Sequence, residues 1–60
     1  DLNNLSKRFD QNGYVNKLSV LIKTKNGSKL EKLILKKNDY FVNINNEKIF
    51  FDDILDYEIK

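Results

Sequence analysis

The chain has 60 residues, 40% hydrophobic, with three Tyr, four Phe, a formal net charge of +2 and neither Cys nor His. It is one small domain, too apolar to be a disordered chain. Disulfides, thiolate metal sites and His-ligated zinc are excluded, and no apolar run reaches the roughly 20 residues of a membrane-spanning helix. A domain of this size buries only about 60% of the surface its unfolded chain exposes. With no covalent or metal staple, self-association is the remaining device. No signal peptide is visible and the expected location is cytoplasmic, although the lack of Cys suits either side of a membrane. The chain begins at Asp1 and not at Met, so a trimmed, processed or partial sequence is expected. Its abundance of Asn, Lys and Ile reads as AT-rich codon usage.

In chain order, Leu2, Leu5 and Phe9 recur at helical spacing. They predict an amphipathic helix over about residues 2–10, with Asp1 as its cap and Gly13 as a left-handed stop. A helix this short is stable only when packed on something else. Residues 17–24 alternate, placing Leu18, Val20 and Ile22 on one face of a strand. Asn26-Gly27 marks a hairpin, and the returning strand runs over about 29–37. Leu30, Leu33 and Leu35 cannot share one face of a regular strand. A three-residue loop pairing Ile22 with Leu30, Val20 with Leu33 and Leu18 with Leu35 requires a bulge near Glu31-Lys32, of the kind that bends small barrels.

The third and fourth strands are expected over about 40–44 and 48–51, joined by a two-residue turn at Asn45-Asn46. That register puts Val42 opposite Ile49 and Tyr40 opposite Phe51 on one face, and Phe41 opposite Phe50 on the other. Asp52-Asp53 breaks the run before a last strand over about 54–59. The order has no linker, repeat or low-complexity segment. It predicts a mostly β single domain over 1–60, a small five-stranded, bent antiparallel barrel of SH3-like or Sm-like type with a short N-terminal α-helix. A flat meander capped by the helix is the alternative.

The run of a short helix, a strand, the "NGSKL" turn, a bent strand, "DYFVNI" and "IFFDDILDYEI" resembles the Sm-like barrel pattern, shared by the Hfq-like bacterial RNA chaperones and the YolD-like proteins. The resemblance covers nearly the whole chain and implies the fold, with a family inclination toward nucleic acid and ring assembly. Lys32 stands where that pattern usually has a small residue. Phe51-Asp52-Asp53 replaces the Hfq-like Tyr-Lys-His motif, so uridine recognition does not carry over.

Little points to catalysis. Ser6, Ser19 and Ser28 have no imidazole base, and there is no Gly-rich phosphate loop. Asp52, Asp53, Asp56 and Glu58 offer oxygens to a hard cation, but their spacing matches no metal loop and reads as an acidic turn leading into a strand. No enzyme, metal or cofactor is expected. Charge is the clearer signal: residues 1–38 sum to +6 and residues 39–60 to −4. Lys23, Lys25 and Lys29 gather at the first hairpin, with Lys36 and Lys37 at the end of its second strand. Such lysines either neutralise phosphates, meet the acidic edge of a second copy, or protect strand edges from aggregation. A single Arg argues against sequence-specific duplex reading. Phe41 and Phe50 are candidate stacking surfaces for single-stranded bases, unless Leu2, Leu5 and Phe9 cover them.

The expected function is a small non-catalytic binding module, with RNA or single-stranded DNA engaged by Lys23, Lys25, Lys29, Lys36 and Lys37. The alternative is a self-assembling or protein-binding adaptor that uses an open strand edge, as a homo-oligomer or with a protein partner. No membrane partner is expected.

Overall fold

A computed structural model describes residues 2–60. A short helix, α1 (Asn3–Ser6), precedes β1 (Tyr14–Thr24), β2 (Gly27–Lys36), β3 (Tyr40–Asn43), β4 (Lys48–Phe50), a 3-10 turn (Phe51–Asp53) and β5 (Asp56–Ile59). The strands form one antiparallel sheet in the order β4-β3-β2-β1-β5. Among the described residues no ladder joins β4 to β5, so the mostly β, five-stranded architecture holds and the sheet stays open at two edges. No helix of the described residues is long and apolar enough to cross a membrane.

The helix is shorter than its apolar spacing predicts. Ser6 and Lys7 donate to the carbonyls of Leu2 and Asn3, four residues back, but Arg8 and Phe9 donate to Leu5 and Ser6, three back. The last turn therefore tightens into 3-10 geometry. The intended face survives, because Leu5 and Phe9 are both buried. The cap expected at Asp1 lies outside the described residues. Gly13 does not stop the helix. It is the left-handed residue, at φ +86°, of a loop leading into β1.

The core gathers Leu5 and Phe9 with Val20, Ile22, Leu33 and Phe41, flanked by Leu18, Ile49, Phe51, Tyr57 and Ile59. Leu18, Val20 and Ile22 share the core face as their alternation requires. The aromatic centre is a stack of Phe9 on Phe41, with centroids 5.3 Å apart, and a tilted contact of Phe41 with Phe51 at 4.7 Å. Both are favourable aromatic geometries.

The first hairpin corrects the expected register. Thr24 lies opposite Gly27, so the turn holds only Lys25 and Asn26. Thr24 Oγ1 accepts the Asn26 N–H at 3.2 Å. Ile22 therefore faces Lys29, Val20 faces Glu31 and Leu18 faces Leu33. No bulge occurs at Glu31-Lys32. Leu30 instead turns outward opposite Leu21 and stays 53% exposed. The sheet bends elsewhere. Between Tyr14–Leu35 and Leu18–Leu33, β1 carries two more residues than β2. Between Leu33–Asn43 and Leu35–Val42, β2 carries one more than β3.

Lys17 sits in the first of these bends at φ +48°, where an L-residue is strained by about 1–2 kcal/mol. Gly relieves that strain and loses about 0.5–1 kcal/mol through its greater unfolded freedom. Lys17→Gly is thus expected to raise stability by about 0.5–1 kcal/mol, read as a higher urea midpoint at unchanged slope. Lys17→Ala, which keeps the Cβ, should not. A Gly variant with a lower midpoint than wild type would show that the bend is unstrained.

The second hairpin departs in the opposite sense, carrying one more loop residue than expected. Asn43 N–H donates to the Glu47 carbonyl at 3.1 Å, and Asn46 N–H donates to the Asn43 carbonyl at 2.9 Å. Asn46 is left-handed at φ +62°, as in a three-residue hairpin loop ending in a bulge. Tyr40 thus faces Phe50, Phe41 faces Ile49 and Val42 faces Lys48. A one-residue slip moves every side chain to the other face. The expected Phe41–Phe50 pair is thereby undone: Phe41 is 0% exposed in the core, while Phe50 is on the opposite face at 41%.

Candidate functional site

An open groove of about 620 Å³ lies between the β1–β2 turn and β4. Three ammonium-bearing residues line it, Lys25 from the turn, Lys29 from β2 and Lys48 from β4. Ile22, Ile49 and Phe50 supply the apolar part, and Glu31 and Asp53 the acidic part. The short turn at Lys25-Asn26 creates the basic side, because it brings Lys29 onto the core-facing side of β2 opposite Ile22. Lys29 Nζ lies 3.9 Å from a Glu31 oxygen, a weak solvent-screened pairing. Lys48 Nζ stands 4.9 Å from the centroid of Tyr40, a cation–π distance. Tyr40 in turn packs on Phe50 at 5.4 Å. Phe50, the ring that lines the groove, is thus held by Tyr40, which itself sits under Lys48.

The five lysines singled out from sequence do not form one patch. Lys25 and Lys29 line the groove. Lys23 lies opposite Ser28 and Asp56 in the ladders. Lys36 and Lys37 lie at and just beyond the far end of β2, up to about 26 Å from Lys29 along an extended strand. Of the two aromatic candidates, Phe50 lines the groove and Phe41 does not. Lys48 joins the groove although residues 39–60 are acidic overall, and only the β3–β4 pairing brings it there. The acidic residues do not converge either: Asp52 and Asp53 lie in the 3-10 turn and Asp56 begins β5, while Glu58 pairs with Lys60 at 3.3 Å. Among the described residues no group of three or more Asp, Glu, His or Cys side chains could hold a metal ion.

One residue that shapes this end of the molecule was not legible as such. Asn43 is 2% exposed. Its amide nitrogen donates to Glu31 Oε1 at 3.0 Å and Glu47 Oε1 at 2.8 Å. Its oxygen accepts the N–H groups of Asn45 and Glu47 at 3.0 and 2.9 Å. Asn43 thereby ties Glu31, a groove carboxylate, to the β3–β4 loop. The same loop geometry recurs before β1. Asp10 Oδ1 accepts the Asn12 and Tyr14 N–H groups, Gly13 N–H donates to the Asp10 carbonyl, and Asp10 N–H donates to the Tyr14 carbonyl. "DQNGY" and "NINNE" are two copies of one loop, each with an Asx side chain at the first position and a left-handed Gly or Asn at the fourth.

Comparison of the chain with protein-family models, with curated proteins and with solved structures finds no match.

Proposed function

We propose that the chain is a non-catalytic binding module that takes single-stranded nucleic acid, RNA or DNA, in the groove between the β1–β2 turn and β4. The observation that carries this reading is the placing of Phe50, 41% exposed, in the same groove as Lys25, Lys29 and Lys48. An aromatic face beside ammonium groups suits a strand whose bases stack while its phosphates are neutralised, without sequence readout. The bent sheet, with β4 and β5 as its outer strands, is read here as an incompletely closed barrel of SH3-like or Sm-like kind.

The test is fluorescence anisotropy of short labelled RNA and DNA oligomers across a salt series. Lys25→Ala and Lys29→Ala should each weaken binding at low salt and flatten the log–log salt slope by about 0.7. Phe50→Ala should weaken binding by about five-fold or more and leave the slope unchanged, because stacking releases no counterions. Absence of binding at low salt, or binding indifferent to all three changes, would overturn the reading.

Among the described residues β5 pairs only with β1, and its open edge favours a second reading: a self-assembling or protein-binding adaptor that adds a strand there. This predicts a mass that rises with concentration and falls back when Ile59→Pro removes a backbone donor from the open side of β5, the N–H groups of Glu58 and Lys60 being turned toward β1.

A further inference from the structure

We infer that Asn26, at the tip of the first hairpin, is a site of spontaneous deamidation that places a negative charge on the rim of the groove, and that Asn12, in the same Asn-Gly sequence, is kept intact by the fold. Its consequence for binding rests on the reading of the groove above; the modification itself does not.

The chemistry needs an Asn side chain, a following backbone nitrogen free to approach it, and water. The Gly27 nitrogen, giving its proton to solvent, attacks Asn26 Cγ. A Cγ–N bond forms, the Cγ–Nδ2 bond breaks, and the amide nitrogen leaves as ammonia after taking up a proton. The resulting succinimide adds one water. Opening at Cγ yields aspartate, and opening at the backbone carbonyl yields isoaspartate. Either product carries one carboxylate in place of a neutral amide, with no oxidation or reduction. Glycine favours ring closure because it has no side chain to obstruct it.

The two Asn-Gly pairs differ in what surrounds them. Asn26 and Gly27 are both exposed. A Cβ built on Gly27 would meet no atom beyond its chain neighbours within 4 Å; Gly27 pairs with Thr24 at the very end of the β1–β2 ladder, and Asn26 N–H donates to Thr24 Oγ1 at 3.2 Å. Gly13 is half-buried. Its N–H is engaged with the Asp10 carbonyl at 2.9 Å, and its carbonyl accepts the Lys36 N–H at 2.7 Å. Asn12 N–H is held by Asp10 Oδ1 at 2.8 Å. For the Gly13 nitrogen to reach the Asn12 side chain, this loop must come apart, so attack there waits on local opening. Asn26 lines the groove with Lys25 and Lys29, and a carboxylate at that position opposes the attraction of phosphates.

The experiment is timed peptide mapping by mass spectrometry of the folded chain at mildly alkaline pH, with a parallel sample in urea. In the folded chain Asn26 should convert at least about ten-fold faster than Asn12, because the Asn12 loop is seated on β2 through Gly13 and Lys36 whereas the Asn26 turn is an exposed hairpin tip that opens by fraying at its last pair. In urea the two should convert at comparable rates. Equal rates in the folded chain, or an Asn26 as inert as Asn12, would overturn the inference. Asn26→Asp should weaken oligonucleotide binding about three-fold at low salt and less at high salt, with Asn12→Asp as the comparison. If Asn26→Asp binds as wild type while Lys29→Ala does not, the effect on the groove is refuted and the groove stands. If no oligonucleotide binds at all, the reading of the groove fails, and the mass spectra alone decide the deamidation.

Discussion

Asn43→Ala is expected to lower the unfolding free energy by about 3–4 kcal/mol, one of the largest losses available to a single side chain in this molecule. The side chain makes four hydrogen bonds from a site 2% exposed. Two go to carboxylates, a class worth about 1.5–3 kcal/mol each. Alanine leaves the Asn45 and Glu47 N–H groups short of an acceptor. It also strips a donor from Glu31, whose side chain is only 13% exposed and otherwise meets Lys29 at 3.9 Å. A domain of this length has roughly 3–9 kcal/mol in total, so the variant should lose at least about a third of its stability. A urea titration followed by circular dichroism reads this directly, and a loss under about 1 kcal/mol would show that water replaces the amide without cost. Asn43→Asp separates the two halves of the network. It keeps an acceptor for the two N–H groups but sets a third carboxylate between Glu31 and Glu47. Its loss should match or exceed that of alanine at neutral pH and shrink as acid neutralises the added carboxylate.

The contrast between this residue and the rest of the chain shows what the amino-acid order does and does not reveal. Local alternation exposes the core face of β1, because Leu18, Val20 and Ile22 can meet one interior only if the strand is regular there. Helical spacing likewise exposes Leu5 and Phe9. Turn length is not written so plainly. Asn26-Gly27 and Asn45-Asn46 both mark turns, yet the first loop holds two residues and the second three. Each one-residue difference reverses the faces of a strand. That is why Leu30 turned out exposed, Glu31 turned inward and Phe41 left the surface. Charge misled for a topological reason. The basic and acidic parts of the sequence do not become two poles, since β5 lies beside β1 and sets Asp56 against Lys23. Lys48, from the acidic part, enters the basic groove. The abundance of Asn read as codon usage concealed one Asn that organises a loop. Its signal was the pattern shared by "DQNGY" and "NINNE", an Asx followed three residues later by a residue that tolerates positive φ.

Gly13→Ala is the second change expected to be severe, at about 3 kcal/mol, and it tests this loop from its other end. A Cβ at position 13 would lie 2.5 Å from the Lys36 carbonyl oxygen, closer than such atoms come without a shift. The obstacle is backbone of β2, next to the 2.7 Å hydrogen bond from Lys36 N–H to the Gly13 carbonyl, so relief means pulling the loop off the strand. The residue also sits at φ +86°, which adds about 1–2 kcal/mol for any L side chain. Gly27→Ala isolates that second contribution, because Gly27 has φ +112° but open space around it. It should lose about 1–2 kcal/mol, and the difference between the two urea midpoints measures the cost of the contact. Asn at position 13 should be nearly as harmful as Ala, although Asn fills the equivalent place in the other loop at Asn46. Asn46→Gly should be neutral or slightly stabilising, since Asn tolerates the left-handed region and Gly favours it. Equal losses for Gly13→Ala and Gly27→Ala would mean that the first loop is not seated on β2. The protection of Asn12 from deamidation, which depends on the same seating, would then fail with it.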